Sequence, residues 1–465
     1  MAEISVITFP LKTEKWQEDV LFKRFEICRQ IYNSMLGYEL KQYRKMLRRK
    51  EYKDSIEVIY SAYQADNDKE KKKIKASEEY KAATKTQKEL IKEYGFSEFS
   101  FGANAIHFAE HFKTIIPTKV AQMSIGTPMW AAFDKLLFGN GEMVHFKRYD
   151  TFSSIVTDGK SAVRIVSEDG KTTRKLDSRM QYYCVYTSKE GKNLKMPLKI
   201  DRKDLYMLEM MERDIHTVRI CRKKVKGKYK YSVQLSVTGA PAIKYNKDGG
   251  ELHPVGNKKL GVYIDTTSIT ITDDKSTKHI NITFKNDIED KKAELQRYMD
   301  ASRRANNPDN FNDDGTIKKG IIKDGKRTHL TWNNSKGYLK AKDNLANLLR
   351  VQAEQRKLRA NKIANEIMAL GADICINDYP FQVAAMRKKF PEGEEFDEKG
   401  KPKKKKKAGK KIGENAPAMI VTILDNKLKG RGYAGVKKVK LKDIDYQMSD
   451  YRSHYSNELY RMIAE

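Results

Sequence analysis

The spacing of apolar residues changes twice along the chain. Residues 1–10 alternate, with Ile4, Val6 and Thr8 on one parity and a stop at Pro10, which predicts a short strand. Between residues 13 and 48, Trp16, Val20, Leu21, Phe25, Cys28, Ile31, Tyr32, Met35, Leu36, Tyr43 and Met46 recur mostly at steps of three and four. That is the stripe of one long amphipathic helix. Lys23, Arg24, Arg29, Lys41, Arg44, Arg48 and Arg49 fall on its other face, where solvent is expected. Helical spacing recurs over 50–93, 102–114 and 117–137, so a helical domain over 11–138 is predicted.

Near residue 140 the period drops to two. EMVHFKRY, AVRIV, MQYYCVYTS, LKMPLKI, HTVRICRKKV and KYKYSVQLSV read as short strands, punctuated by Gly159, Gly170, Gly191 and Gly227. Residues 216–225 and 228–237 form a hairpin candidate around Gly227. Residues 1–10 and 139–245 are thus expected to build a β-barrel or open sheet, with the helical domain inserted in it. A polar Gly/Pro-rich boundary over 240–258 precedes a third pattern, which fills the domain predicted over 246–465. Strands in KLGVYIDTTSITITDD and HINITF lead to a helix (286–303), a polar loop (304–334), a long helix (336–370) and a strand in ADICINDYPF. That order predicts an α/β layer with a mixed sheet. A charged loop (386–413), a helix (414–430), a strand (434–442) and a terminal helical segment follow.

Charge narrows the class of partner. The 465 residues carry 92 Lys and Arg against 62 Asp and Glu, a net charge of +30. Self-repulsion on that scale points to a polyanion that neutralises it, and nucleic acid leads. An anionic membrane surface would need a basic amphipathic helix with a clean apolar face, which the pattern lacks. No stretch approaches the ~18–20 apolar residues of a membrane span, and no secretory signal opens the chain. A cytoplasmic, nucleoid-associated protein with no membrane partner is expected. Cys28, Cys184, Cys221 and Cys375 are scattered without a C-x-x-C, which excludes a local four-cysteine zinc ribbon and argues against a disulfide framework.

Basic residues beside aromatics mark candidate contacts, since rings stack bases while cations hold phosphates. Residues 399–442 hold sixteen Lys and Arg against Glu414 and Asp425, with Lys403, Lys404, Lys405, Lys406 and Lys407 at their centre. Lys147, Arg148 and Tyr149 form a second group, and Arg303, Arg304 and Trp332 a third. The plainer alternatives are a solvated loop, strand packing and a helix-packing anchor.

The third section has the layout of an RNase H-like nuclease. That layout puts a carboxylate in the first strand, an acid at the end of the strand after a long helix, and another acid on a late helix. Together they hold two divalent cations. The segments TFPLKTEKWQEDVLFKRFEICRQIYN, SRRANNPDNFNDDGTIKKG, WNNSKGYLKAKDNL and ENAPAMIVTILDNKL resemble the TnpB family, transposon-encoded RNA-guided nucleases ancestral to type V CRISPR effectors. The resemblance covers essentially the whole chain. It implies a multidomain α+β protein: a helical recognition domain inserted in a β-barrel wedge domain, then a RuvC-like α/β domain, here without a zinc ribbon.

The resemblance also locates three catalytic positions. The first motif, roughly G-I-D-I-G-T-x-T-I, is matched by Gly261 to Ile269, so Tyr263 stands where the family has its Asp. Asp265 lies on the same strand parity, about 6.6 Å further along. The second, roughly V-E-x-M-x-F, runs from Ile376 to Phe381, so Asn377 replaces the Glu and Asp378 points to the opposite face. The third, near R-D-L-Y-S-A, is matched only by Asn457 to Met462, with Glu458 standing for Asp. The resemblance therefore implies a nuclease-dead, TnpB-like repressor. Its partners would be a guide RNA and double-stranded target DNA with a short adjacent motif, and no divalent metal or other cofactor is expected. An active nuclease with a rearranged metal site and a degenerate transposon remnant or plain RNA-binding protein are the alternatives.

Overall fold

The computed structural model describes residues 3–64, 67–139, 141–284, 288–320, 322–323, 326–385, 408–441 and 444–464. The chain divides into two compact units, residues 1–224 with 229–242, and residues 225–228 with 243–465. No helix among the described residues is long and apolar enough to cross a membrane.

In the first unit, β1 (Ile4–Pro10), β2 (Ser154–Thr157), β6 (Ile215–Val225) and β7 (Lys228–Thr238) form a four-stranded sheet in the order β1-β7-β6-β2. A three-stranded sheet holds β3 (Val163–Ser167), β4 (Tyr182–Tyr186) and β5 (Leu194–Pro197). Isolated bridges, Leu11 to Leu198 and Gly159 to Arg164, join their ends. The expected barrel is therefore seen as two bridged sheets. The β6–β7 turn works because Lys226 and Gly227 both adopt positive φ, 48° and 78°, as a tight two-residue hairpin requires. EMVHFKRY is not a strand: the Lys147 backbone pairs with the Asn33 side chain instead of a neighbouring strand. Strand β1 alternates along its length. Ile4 and Val6 are 59% and 53% exposed, while Ser5, Ile7 and Phe9 turn inward.

Helix α1 (Lys15–Met46) is the predicted long helix. The helical spacing over 50–93 is carried by three helices, α2 (Lys50–Gln64), α3 (Asp68–Ala76) and α4 (Glu78–Glu93). The cause is capping: Asn67 Oδ1 accepts the Glu70 N–H, and Ser77 Oγ accepts that of Tyr80, so each starts a new helix. Then come α5 (Glu98–Phe108), α6 (Thr118–Ala121) and α7 (Thr127–Phe138), followed after strands β2–β5 by α8 (Leu205–Met211). One hydrophobic core runs through both helices and sheets, from Phe9 and Phe25 to Phe133, Tyr186 and Leu235. Arg24 was expected in solvent but is 2% exposed. Its guanidinium lies 4.1 Å from the Tyr186 ring and donates to the Lys192 carbonyl at 2.7 Å.

The second unit has a five-stranded mixed sheet. It contains β8 (Lys258–Ile264), β9 (Ser268–Thr272) and β10 (Thr277–Asn281), with a separate two-stranded hairpin of β11 (Ile322–Lys323) and β12 (Lys326–Arg327). Strands β13 (Gly371–Asn377) and β14 (Val436–Val439) complete the order β10-β9-β8-β13-β14. The helices are α9 (Ile288–Asn306), α10 (Lys336–Leu370), α11 (Phe381–Ala385), α12 (Ala408–Asn415), α13 (Pro417–Lys429) and α14 (Tyr451–Ala464). Strand alternation sorts the layers. Leu260, Val262, Ile264, Ile374 and Ile376 pack against α10 and α13. Tyr263 and Cys375 point to the other face and pack with Tyr455 and Leu459 of α14. The four cysteines are free thiols.

Candidate functional site

The face of the second unit's five-stranded sheet covered by α14 carries two of the three expected catalytic positions, Tyr263 and Asn377, and the third, Glu458, lies on α14 itself. Gly261 places the helix there. A Cβ on Gly261 would collide with the Ser456 carbonyl and the Tyr460 backbone, so only glycine lets α14 lie directly on β8. Ser456 Oγ also meets Thr272 Oγ1 at 2.7 Å. This docking fixes what each neighbouring side chain faces.

Tyr263 is fully buried. Its ring meets Tyr451 edge-on at 5.8 Å and Tyr455 at 6.0 Å. Burial pushes its hydroxyl above the usual phenol range, and that hydroxyl has no hydrogen-bond partner among the described residues. The position is filled by an aromatic cluster that Tyr446 extends to the surface, at 60% exposure.

Asp265 shares the face of Tyr263, as strand parity predicts. Its carboxylate accepts five hydrogen bonds: from the backbone N–H and hydroxyl of Thr267, the backbone N–H and hydroxyl of Ser268, and Arg452 Nε at 2.7 Å. Burial alone would raise this carboxyl. The Thr267 and Ser268 amides and the Arg452 guanidinium outweigh it and hold the group below its ordinary range. Asp265 is thus the tie of the β8–β9 turn. The sequence reading missed this role, for which the available signal was D-T-T-S, an acid followed by backbone and hydroxyl donors.

Asn377 is 5% exposed at the end of β13. Its Oδ1 accepts the Ile264 N–H at 2.7 Å and its Nδ2 donates to the Ile264 carbonyl at 2.9 Å. The amide acts as one more rung between β13 and β8. Asp378 is exposed, with its backbone N–H on the Val439 carbonyl at 2.7 Å. Glu458 lies half-buried on α14 beside Leu459. It is Arg452, not Glu458, that α14 brings to Asp265. Among the described residues, no group of three or more His, Cys, Asp or Glu is placed to hold a metal ion.

The candidate contact groups divide. Lys147 is turned inward: its ammonium lies 4.8 Å from the Tyr32 ring and 5.6 Å from that of Phe152, and burial pulls its amine down. Arg148 and Tyr149 are exposed. Arg303 stacks on Trp332 at 4.1 Å, and Trp332 meets Phe311 at 5.8 Å. Arg304 covers Phe311 at 4.9 Å and donates to the Gly315 carbonyl at 2.8 Å. Arg303, Arg304 and Trp332 thus pack with Phe311, and beside them Asn307 bonds both backbone groups of Asn333. Lys403, Lys404, Lys405, Lys406 and Lys407 lie outside the described residues. One basic group escaped the sequence reading. Lys81, Lys85, Lys88 and Lys92 are exposed along α4 and line a groove with Lys75 and Tyr80. Their steps of four, three and four were the available signal.

Neither a family model nor a curated protein matches the sequence. Among solved structures, the chain is similar to a Cas12f1–sgRNA–target DNA complex solved by cryo-EM. The identity is 10%, the match covers 98% of this chain and 94% of that one, and the TM-score is 0.39. It is also similar to a CRISPR-Cas12f ternary complex, at 11% identity over 96% of this chain and 76% of that one, with a TM-score of 0.25.

Proposed function

We propose that this protein is an RNA-guided, sequence-specific DNA-binding protein that does not cut its target and represses transcription by occupying it. The resemblance of its segments to the TnpB family and its net charge of +30 support the binding half of this reading. In such a mechanism, pairing between guide and target strand supplies sequence specificity. The protein holds the heteroduplex through its backbone and reads a short adjacent duplex motif.

The observation that carries the second half is the engagement of Asp265 by Arg452 at 2.7 Å. Two-metal hydrolysis needs anionic oxygens with free lone pairs. Here the carboxylate is saturated by donors, and a guanidinium stands where a cation would approach. Tyr263 offers a buried phenol inside an aromatic cluster. Asn377 has both ends of its amide on the Ile264 backbone. This donor set does not fit a divalent cation pair.

The test begins with the RNA that co-purifies with the full-length protein. Its sequence supplies a matched DNA duplex. The expected result is a stable complex with that duplex that opens it and leaves it uncut in Mg²⁺ or Mn²⁺. Cleavage that disappears in Asp265→Ala would establish the nuclease alternative. Tight RNA binding with no opening of any matched duplex would reduce the protein to an RNA-binding one.

A further inference from the structure

The sheet face opposite α14 carries a second feature. Beside α10 and α13 a cleft of about 900 Å³ opens, lined by Lys244, His253, Phe284, Arg359, Asn365 and Lys427 with their neighbours. No acidic side chain is among the lining residues. The cations crowd one another. Burial first, then Arg431 and Lys244, pull the Lys427 amine down, and burial with the same cations and Lys427 lowers His253. Gathered cations without a lining counter-charge favour an anion.

Two further groups say more than anion. Phe284 is half-buried at the cleft, and its backbone N–H is fixed by Asn415 Oδ1 at 2.9 Å. The Arg359 guanidinium lies 5.6 Å from the Phe284 ring and is itself held by the Asn281 carbonyl at 3.1 Å. A ring with a held guanidinium over it offers stacking surface for a base. Asn365 Oδ1 is shielded from solvent and has no hydrogen-bond partner among the described residues. An unpaired buried acceptor is costly, and an amine on a base edge would satisfy it, whereas inorganic phosphate at neutral pH is chiefly an acceptor.

We infer that this cleft takes one unstacked nucleotide of a single-stranded nucleic acid. The base lies against Phe284 with an edge donor on Asn365, and the phosphate lies among Lys244, Lys427 and Arg359. The volume is in the range of small-ligand sites. This inference does not rest on the degenerate face under α14. A protein that never opens a matched duplex leaves it standing, and a guided protein that fails the test below loses only this site.

The probe is a fluorescein-labelled 12-mer RNA of mixed sequence with one 4-thiouridine, presented to the full chain after removal of bound RNA, with a DNA 12-mer and orthophosphate as further arms. A photo-cross-link to the peptide containing Phe284 is expected, lost in Phe284→Ala and retained in Phe284→Trp. Lys244→Ala with Lys427→Ala is expected to weaken 12-mer binding about tenfold and to reduce the salt slope by about 1–2. Preference for the DNA arm would keep the site and assign it to DNA. Cross-links only elsewhere, with an unchanged salt slope in the double variant, would overturn it. So would complete displacement by millimolar orthophosphate together with indifference to Phe284→Ala, which would leave an anion site only. Unaltered thermal melting of the variants separates each loss from unfolding.

Discussion

Asn377 binds both backbone groups of Ile264, its Oδ1 accepting the N–H at 2.7 Å and its Nδ2 donating to the carbonyl at 2.9 Å. A carboxylate of the same shape accepts the N–H but sets its second oxygen against the carbonyl, acceptor against acceptor. Asn377→Asp is therefore expected to cost about 2–4 kcal/mol at neutral pH. Protonation restores the donor, so the variant's folded carboxyl titrates above its unfolded value. Its deficit should shrink as pH falls through that range. Urea unfolding of variant and parent at pH 7 and pH 4.5 checks this, and an equal deficit at both would reject the clamp.

The Asp265–Arg452 pair makes the opposite pH prediction. The folded carboxyl is held below its ordinary range, so its contribution is present above the unfolded pKa of about 3.9 and is lost as pH falls below it. Asp265→Asn should flatten that acid limb of the stability curve. Arg452→Ala leaves the Thr267 and Ser268 donors in place, and with Arg452 partly exposed the loss should be near 1 kcal/mol. Acid titration of the unfolding midpoint measures both.

Glu39 on α1 is 1% exposed and accepts a hydrogen bond from Asn104 Nδ2 at 2.7 Å. Burial raises its carboxyl to about 7, against the pull of that hydrogen bond. Since the folded pKa lies above the unfolded one, stability should fall as pH rises from the ordinary carboxylate range to about 7. Glu39→Gln should then stabilise by about 1–3 kcal/mol at pH 8 and by little at pH 4. Thermal melts at the two pH values decide it.

Gly261 bears the close approach of α14. Gly261→Ala should displace that helix and cost about 3 kcal/mol or more, since backbone atoms on the other side cannot yield as a flexible side chain does. Hydrogen exchange should lose protection first in α14, followed by the Asp265 turn. Protection lost only outside these elements would contradict the docking.

Legibility in the sequence followed the range of the interaction. The helix Lys336–Leu370 was read to its ends because Ser335 caps it locally, accepting the Tyr338 N–H at 3.1 Å. Substitutions at the three expected catalytic positions were visible as residue types. Their new partners were not: Asn377 reaches Ile264 across 113 positions and Asn33 reaches Lys147 across 114. Arg24 was misplaced because helical spacing sorts faces by neighbours, and only Tyr186, 162 positions away, makes its side a core. Which face of β1 is buried is likewise decided at long range. Ile4 and Val6 are as apolar as the residues that are buried, and only pairing with β7 selects the face.

The seat that Gly261 provides for α14 has a consequence for the timing of synthesis. Asp265 and Arg452 are 187 positions apart. At about 5–20 residues per second, Arg452 is made roughly 10–40 s after Asp265. During that interval the bare strand at Gly261, the Tyr263 ring and a carboxylate short of its guanidinium all wait without a cover. The nascent chain therefore carries an adhesive aromatic surface on the uncovered strand, and any chaperone requirement of this protein should be concentrated there.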